Sequence, residues 1–193
     1  WKEGLNIRNV NRSFLTDEQL STVQFMRDAL FRDPFSNELF QEIHTVEKSI
    51  FWKDPVTGTE IKMKLDAVAD DFTIDLKSCM NAKPEVFARH AWDMEYHGQG
   101  ALYRNGRPVG FDDKGRPVNL KKGDFYFIAV EKEAPFGVSV NKATRPFLSA
   151  GETLYSQTLE DFAYWKEMGA PDVCYEWRKP LGYSSLNVPY WVR

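Results

Sequence analysis

Two carboxylates and three lysines fall within a short reach of chain, in Lys62-Met63-Lys64-Leu65-Asp66 and in Ile74-Asp75-Leu76-Lys77. Each segment alternates polar and apolar residues with a period of two, as a β-strand does. Ile61, Met63 and Leu65 share one face of the first, so Lys62, Lys64 and Asp66 share the other. In the second, Ile74 and Leu76 oppose Thr73, Asp75 and Lys77. Paired as a hairpin, the segments would converge Asp66, Asp75 and Lys77 on one sheet face. Two hard-oxygen ligands beside a fixed cation are what a divalent-metal phosphodiester hydrolase needs. Asp71 falls in the intervening turn and reads as a turn residue. D-x-K alone is a weak signal, because solvated hairpins carrying Asp and Lys are common.

The elements that must position these residues can be read along the chain. Thr16 and Gln19 form a capping box that starts a helix ending near Arg32, and Leu20, Val23, Met26 and Leu30 form its expected buried face. Asp33-Pro34 stops it, and a short helix is expected over 36–43. Strands follow at 46–53, 59–68 and 72–78, turned by Asp54-Pro55, Gly58 and Ala69-Asp70-Asp71. Pro84 opens a helix expected over 84–103. Segment 104–123 reads as an extended loop or exposed hairpin. Strands at 124–132 and 137–142 meet at Ala134-Pro135, and a long helix over 147–168 closes at Gly169. The aromatic tail from Tyr183 to Arg193 is expected to pack back on the domain. This order predicts a single α/β domain over 1–193: an N-terminal helical region (14–43), a core of about 45–145 around a mixed central sheet flanked by helices, and a C-terminal helix and tail (147–193).

Composition narrows the classes. At 193 residues and 22.4 kDa the chain suits one domain with a real core. A net charge of −3 argues against a general nucleic-acid coat but not against a nuclease, whose metals and local cations neutralise phosphate inside a cleft. Only Cys79 and Cys174 are present, without C-x-x-C spacing, so neither a zinc knuckle nor a disulfide framework is suggested, and reduced thiols in a cytoplasmic protein are expected. No apolar run reaches the roughly 18 residues of a membrane span, and no signal-peptide pattern opens the sequence. No P-loop and no G-x-S-x-G elbow occurs. His90 and His97 stand seven apart, the wrong spacing for a helical zinc pair. Arg104, Arg107, Lys114, Arg116, Lys121 and Lys122 make the 104–123 loop basic, either as a DNA contact or as solvated surface.

The helix from Pro84 would carry Arg89, Trp92, Tyr96, Gln99 and Tyr103 on one continuous face, with Val86, Phe87, Ala91 and Met94 free for core contacts. Such a face could hold a phosphate or orient Lys77; the bland alternative is an amphipathic boundary.

The segment from Glu47 to Tyr103 resembles the PD-(D/E)XK nuclease core, most nearly that of RecE-like phage and prophage exonucleases, relatives of lambda exonuclease and the RecB nuclease domain. Glu47-Lys48-Ser49-Ile50-Phe51-Trp52 matches a Glu-x-Ser-x-x-Trp strand, and Lys62-Met63-Lys64-Leu65-Asp66 matches a K-x-R/K-x-D strand. Asp75-Leu76-Lys77 matches D-x-K, and Tyr96 through Tyr103 matches Tyr-x-x-Q-x-x-x-Tyr. The stretch Phe127–Val138 resembles the family's later strand pair. Four motifs in order are more specific than any one of them.

The resemblance implies a restriction-endonuclease-like fold and a Mg²⁺- or Mn²⁺-dependent DNA exonuclease. Asp66, Asp75 and the Leu76 carbonyl would be metal ligands, with Glu47 as an upstream carboxylate reaching the ion directly or through water. Lys77 would position the attacking water or stabilise charge, with Gln99 and Tyr103 supporting it. Lys62 and Lys64 are candidates for DNA-backbone contacts, as is Arg89 on the helix face. It further implies 5′-to-3′ action on duplex ends in phage-type recombination, a ring-shaped homo-oligomer, a single-strand annealing protein as partner, and the cytoplasm of a bacterial or phage-infected cell. Relatives carry a metal-binding His well upstream; His44 is too near the hairpin for that role and reads as a helix-end or core residue, so the segment that should hold it is expected to be missing ahead of Trp1, which would mean a fragment, a weakened metal site or an inactive relative. Two alternatives remain open: a structure- or sequence-specific endonuclease on the same core, and a catalytically silent DNA-binding module.

Overall fold

The computed structural model of the protein describes residues 15–169; the tail from Tyr183 to Arg193 lies outside these residues. Five strands form one sheet in chain order: β1 (Thr45–Lys53), β2 (Glu60–Val68), β3 (Phe72–Cys79), β4 (Asp124–Glu131) and β5 (Val138–Lys142). β3 and β4 run parallel, and every other neighbouring pair is antiparallel. The parallel crossover carries two helices, α3 (Pro84–Asp93) and α4 (Tyr96–Gly106). The expected α/β architecture with a mixed, helix-flanked sheet is therefore present.

Alternation along β4 fixes the two layers. Phe125, Phe127 and Ala129 pack with Phe87 and Ala91 of α3, Ala101 of α4 and Leu148 of α5 (Arg145–Glu167). Ile128 and Val130 point the other way, toward Leu30 of α1 (Asp17–Arg32) and Leu39 of α2 (Pro34–Gln41). Helices α4 and α5 approach so closely at Gly151 that a Cβ there would overlap the His97 carbonyl oxygen.

Helix α1 begins with the expected Thr16–Gln19 capping box. Its anticipated buried face is only half realised: Leu30 is buried, while Leu20 and Val23 stay exposed. Only the C-terminal end of the helix reaches the sheet.

The single helix expected over 84–103 is two. Glu95 takes a left-handed conformation at φ 56°, and the chain restarts at Tyr96 on a new axis. The continuous face from Arg89 to Tyr103 is therefore broken. Arg89 faces solvent on α3, while Tyr96 and Gln99 turn toward the sheet on α4. Phe87 and Ala91 are buried as expected, but Val86 and Met94 are exposed. His90 and His97 sit on separate helices, the latter buried and stacked on Trp92 at 4.5 Å.

The basic loop after α4 is not a free cationic surface. Arg107 is fully buried, Arg104 donates to the Gly123 carbonyl, and Arg116, Lys121 and Lys122 pair with Asp112, Asp71 and Glu152. Asp71 thus has a partner beyond its turn. The loop also adds an antiparallel bridge between Phe111 and Phe51 at the edge of β1.

Candidate active site

Strict alternation fails in the β1–β2 hairpin, and the failure creates the site. Met63 and Leu65 pack with Ile50 and Val68, whereas Ala67, two residues past Leu65, belongs to the opposite layer with Ile74 and Leu30. The inversion falls at Asp66 and at Glu47, the residue facing it in the register. Glu47 has φ 53°, a left-handed conformation that strands normally avoid.

Strands β2 and β3 part at the same point. They pair only at Ala67↔Ile74 and Val68↔Thr73. The next register position would set Asp66 opposite Asp75. There the Asp66 carboxylate Oδ2 accepts from the Leu76 backbone N–H at 2.9 Å, satisfying a donor that the ladder has released. The exposed Leu76 side chain bounds, with Phe31, Phe40 and Val46, a cleft of about 560 Å³ that opens onto Asp66 and Glu47.

On the face toward α4, three side chains form a closed set. Lys77 Nζ lies 2.7 Å from Asp75 Oδ2 and donates to Gln99 Oε1 at 3.0 Å. Gln99 Nε2 donates to Asp75 Oδ1 at 2.7 Å. A single amide therefore ties the cation to the carboxylate from a third direction. Tyr96 completes the arrangement from beneath, with its ring centroid 4.4 Å from Lys77 Nζ. Asp75 is only 3% exposed. Burial pushes its carboxyl above the ordinary aspartate range, opposed by Lys77 and Gln99 and assisted by the nearby Asp66 charge.

Arg107 braces the same hairpin from inside. Its Nη1 donates to Thr73 Oγ1 at 2.5 Å, and its Nη2 donates to the carbonyls of Ala69 and Asp70 at 2.8 and 3.0 Å. Thr73 precedes Asp75 by two residues on one face of β3. The motif reading missed this role because Arg107 sits in a segment whose composition signals a loop.

The other sequence candidates are placed as follows. Glu47 pairs with Lys64 across the hairpin. Lys62 is exposed and lies over the Phe51 ring at 5.6 Å. Tyr103 packs between core clusters, 6.3 Å from the Phe125 ring, so Tyr96 is the tyrosine against Lys77. The signal for Tyr96 was in the Tyr-x-x-Q spacing, which puts it one helical turn before Gln99. His44 is exposed at the α2–β1 junction, its Nε2 3.0 Å from Asp70 Oδ1, and is not a core residue.

Whether the residues suit a cation can be judged from Asp75. Its Oδ2 is buried beside the Lys77 ammonium, 2.7 Å away, an anionic oxygen already held against a cation. With Asp66 it would offer two hard-oxygen ligands. Among the described residues, no three His, Cys, Asp or Glu side chains come together. That donor set fits an ion held by two carboxylates and a backbone oxygen that keeps several waters, and not an all-protein cage.

Strands that part beside two aspartates, a D-x-K strand and a glutamine-bearing helix define a PD-(D/E)XK-type domain. A family model described as a PDDEXK-like domain of unknown function (DUF3799) matches residues 2–176, and the chain belongs to that family. Among solved structures, a candidate exonuclease from Eubacterium rectale shares the fold with a TM-score of 0.58 at 14% sequence identity. The alignment covers 89% of this chain, which spans only 64% of that protein's length. No curated protein matches the chain. No described helix is long and apolar enough to cross a membrane.

Proposed function

We propose that this domain is a DNA exonuclease that hydrolyses phosphodiester bonds at duplex ends with Mg²⁺ or Mn²⁺. The observation that supports it is that β2 and β3 part beside Asp66 and Asp75, with Lys77 locked beside Asp75. A divalent ion on Asp66, Asp75 and the Leu76 carbonyl, with Glu47 within reach through water, would supply Lewis acidity and an activated water.

The chain's own residues supply the rest. Lys77 holds a positive charge where negative charge accumulates on the phosphate in the transition state. Gln99 fixes the ammonium by accepting from it, and the Tyr96 ring restricts it from below. Asp75 stays buried, so its charge is poorly screened and acts strongly on whatever cation adjoins it. Lys62, Lys64 and Arg89 are exposed cations suited to backbone-phosphate contacts, which set position without reading sequence. Attack from the 5′ end, a role in phage-type recombination beside a single-strand annealing protein, and a ring-shaped oligomer belong to the same proposal, and they rest on the motif resemblance alone.

The test is digestion of end-labelled linear duplex and of covalently closed circular duplex, each with Mg²⁺ and with EDTA. Loss of the linear form alone, dependent on Mg²⁺ and releasing the 5′ label first, is the expected result. Cutting of the closed circle would replace the exonuclease with an endonuclease. Failure to cut either with Mg²⁺ or Mn²⁺ would leave a silent DNA-binding domain.

A further inference from the structure

A second group of residues lies on the β1–β2 hairpin away from the carboxylates. Lys62 of β2 faces Phe51 of β1 in the register, and Phe51 faces Phe111 across the edge bridge. Opposed residues on adjacent strands share a face, so Lys62, Phe51 and Phe111 form one transverse row. The Lys62 ammonium lies over the Phe51 ring. Phe111 is 45% exposed, and a cleft of about 510 Å³ runs along the row, bounded also by Lys53, Glu60 and Asp112.

The exposed ring is held rigidly. Phe111 and Phe51 exchange both backbone hydrogen bonds, at 2.9 and 2.8 Å. Gly110 lies so close to β1 that a Cβ would overlap Ile50 Cγ2. Asp112 accepts from the backbone N–H groups of Lys114 and Arg116 and from Arg116 Nε, which closes the following turn. A phenylalanine presented to solvent on a locked backbone pays little ordering entropy when a flat ligand covers it.

From these observations we infer that Lys62, Phe51 and Phe111 form a stacking platform for unpaired bases of single-stranded DNA. Unpaired bases offer the π-faces that the exposed Phe111 ring requires, beside the half-buried Phe51 under Lys62, and Lys62 offers a phosphate partner next to it. The acidic groups nearby are opposed by cations: Arg116 pairs with Asp112 and Glu60 faces Lys53 across the strands, which leaves Lys62 as the platform's phosphate partner. Lys62 precedes Asp66 by four residues on β2, roughly 13 Å along a strand. A single strand on the platform would therefore run past the carboxylate site. The inference rests on the nuclease reading for its biological sense, though the platform binds without metal.

The test uses the full chain in EDTA, with a fluorescein-labelled oligothymidylate of about a dozen nucleotides and a blunt hairpin duplex as probes. Phe111→Leu keeps an apolar side chain but removes the ring, and should weaken oligothymidylate binding about 5- to 150-fold while changing duplex binding less than about twofold. Phe111→Tyr should restore it. Lys62→Ala should lower the salt slope of log K by about 0.7, whereas Phe111→Leu should leave that slope unchanged. Equal affinity of the parent and Phe111→Leu for the single strand would overturn the platform, whatever the cleavage assay shows. Ring-dependent binding by a chain that cuts nothing with Mg²⁺ would uphold the platform and defeat the nuclease reading.

Discussion

Arg107 donates to Thr73 Oγ1 at 2.5 Å from a position with no exposed surface, joining the loop after α4 to the strand that carries Asp75 and Lys77. Two more of its bonds hold the β2–β3 turn through Ala69 and Asp70, although among the described residues no carboxylate forms an ion pair with the guanidinium. Burial without a paired anion lowers its pKa, opposed by the more distant charges of Asp71 and Asp70. Arg107→Met would leave Thr73 and two carbonyls without donors, a loss of at least about 2 kcal/mol. Urea denaturation should show it as a lower midpoint with an unchanged m-value. An unchanged midpoint would mean that water replaces the guanidinium without cost.

The two members of the Lys77–Asp75 pair should fail differently. Lys77→Ala should reduce cleavage about a hundredfold or more while Mn²⁺-dependent DNA binding persists. Asp75→Ala should remove both cleavage and bound Mn²⁺, read by calorimetric titration of the ion. If Lys77→Ala cuts as fast as the parent, the site is misassigned.

Tyr96 and Tyr103 can be separated by their rings and hydroxyls. Lys77 meets the Tyr96 ring face, so Tyr96→Phe should retain activity within about threefold, since the quadrupole survives. Tyr96→Leu should lower kcat about fivefold, because the ammonium loses roughly 1 kcal/mol of restraint. Tyr103→Phe should matter less than Tyr96→Leu, as the Tyr103 ring packs against Phe125. Steady-state kinetics on linear duplex would reverse this assignment if Tyr103→Phe were the more damaging.

Acid stability should report the turn that presents Phe111. Hydrogen bonds from the Arg116 side chain and backbone lower the Asp112 carboxyl to about 2. A depressed folded pKa contributes stability that is complete above the ordinary carboxylate range and is lost as pH falls through the folded value. The stability difference between the parent and Asp112→Asn should hold steady down to about pH 5 and shrink below about pH 4. Denaturation midpoints across that range measure it, and a difference that persists to the lowest pH would assign the turn's stability to neutral hydrogen bonds.

Local chemistry made much of this molecule legible in the sequence. The capping box at Thr16, the helix start at Pro84, all five strands and the D-x-K strand with its downstream glutamine follow from side-chain period, backbone restriction and turn residues, which act within a few positions. What remained hidden depends on contacts between distant segments. Glu95 and Glu47 adopt left-handed conformations that no local preference favours, so the split of one expected helix and the inverted alternation at Asp66 were not visible. Arg107 looked like a solvated loop cation because its acceptors, Thr73, Ala69 and Asp70, lie more than thirty residues away. Burial of a charge, and which of two tyrosines meets a lysine, are set by how layers pack. The sequence placed the candidate site residues on their strands; only the tertiary structure parted those strands at Asp66 and closed Gln99 and Tyr96 around Lys77.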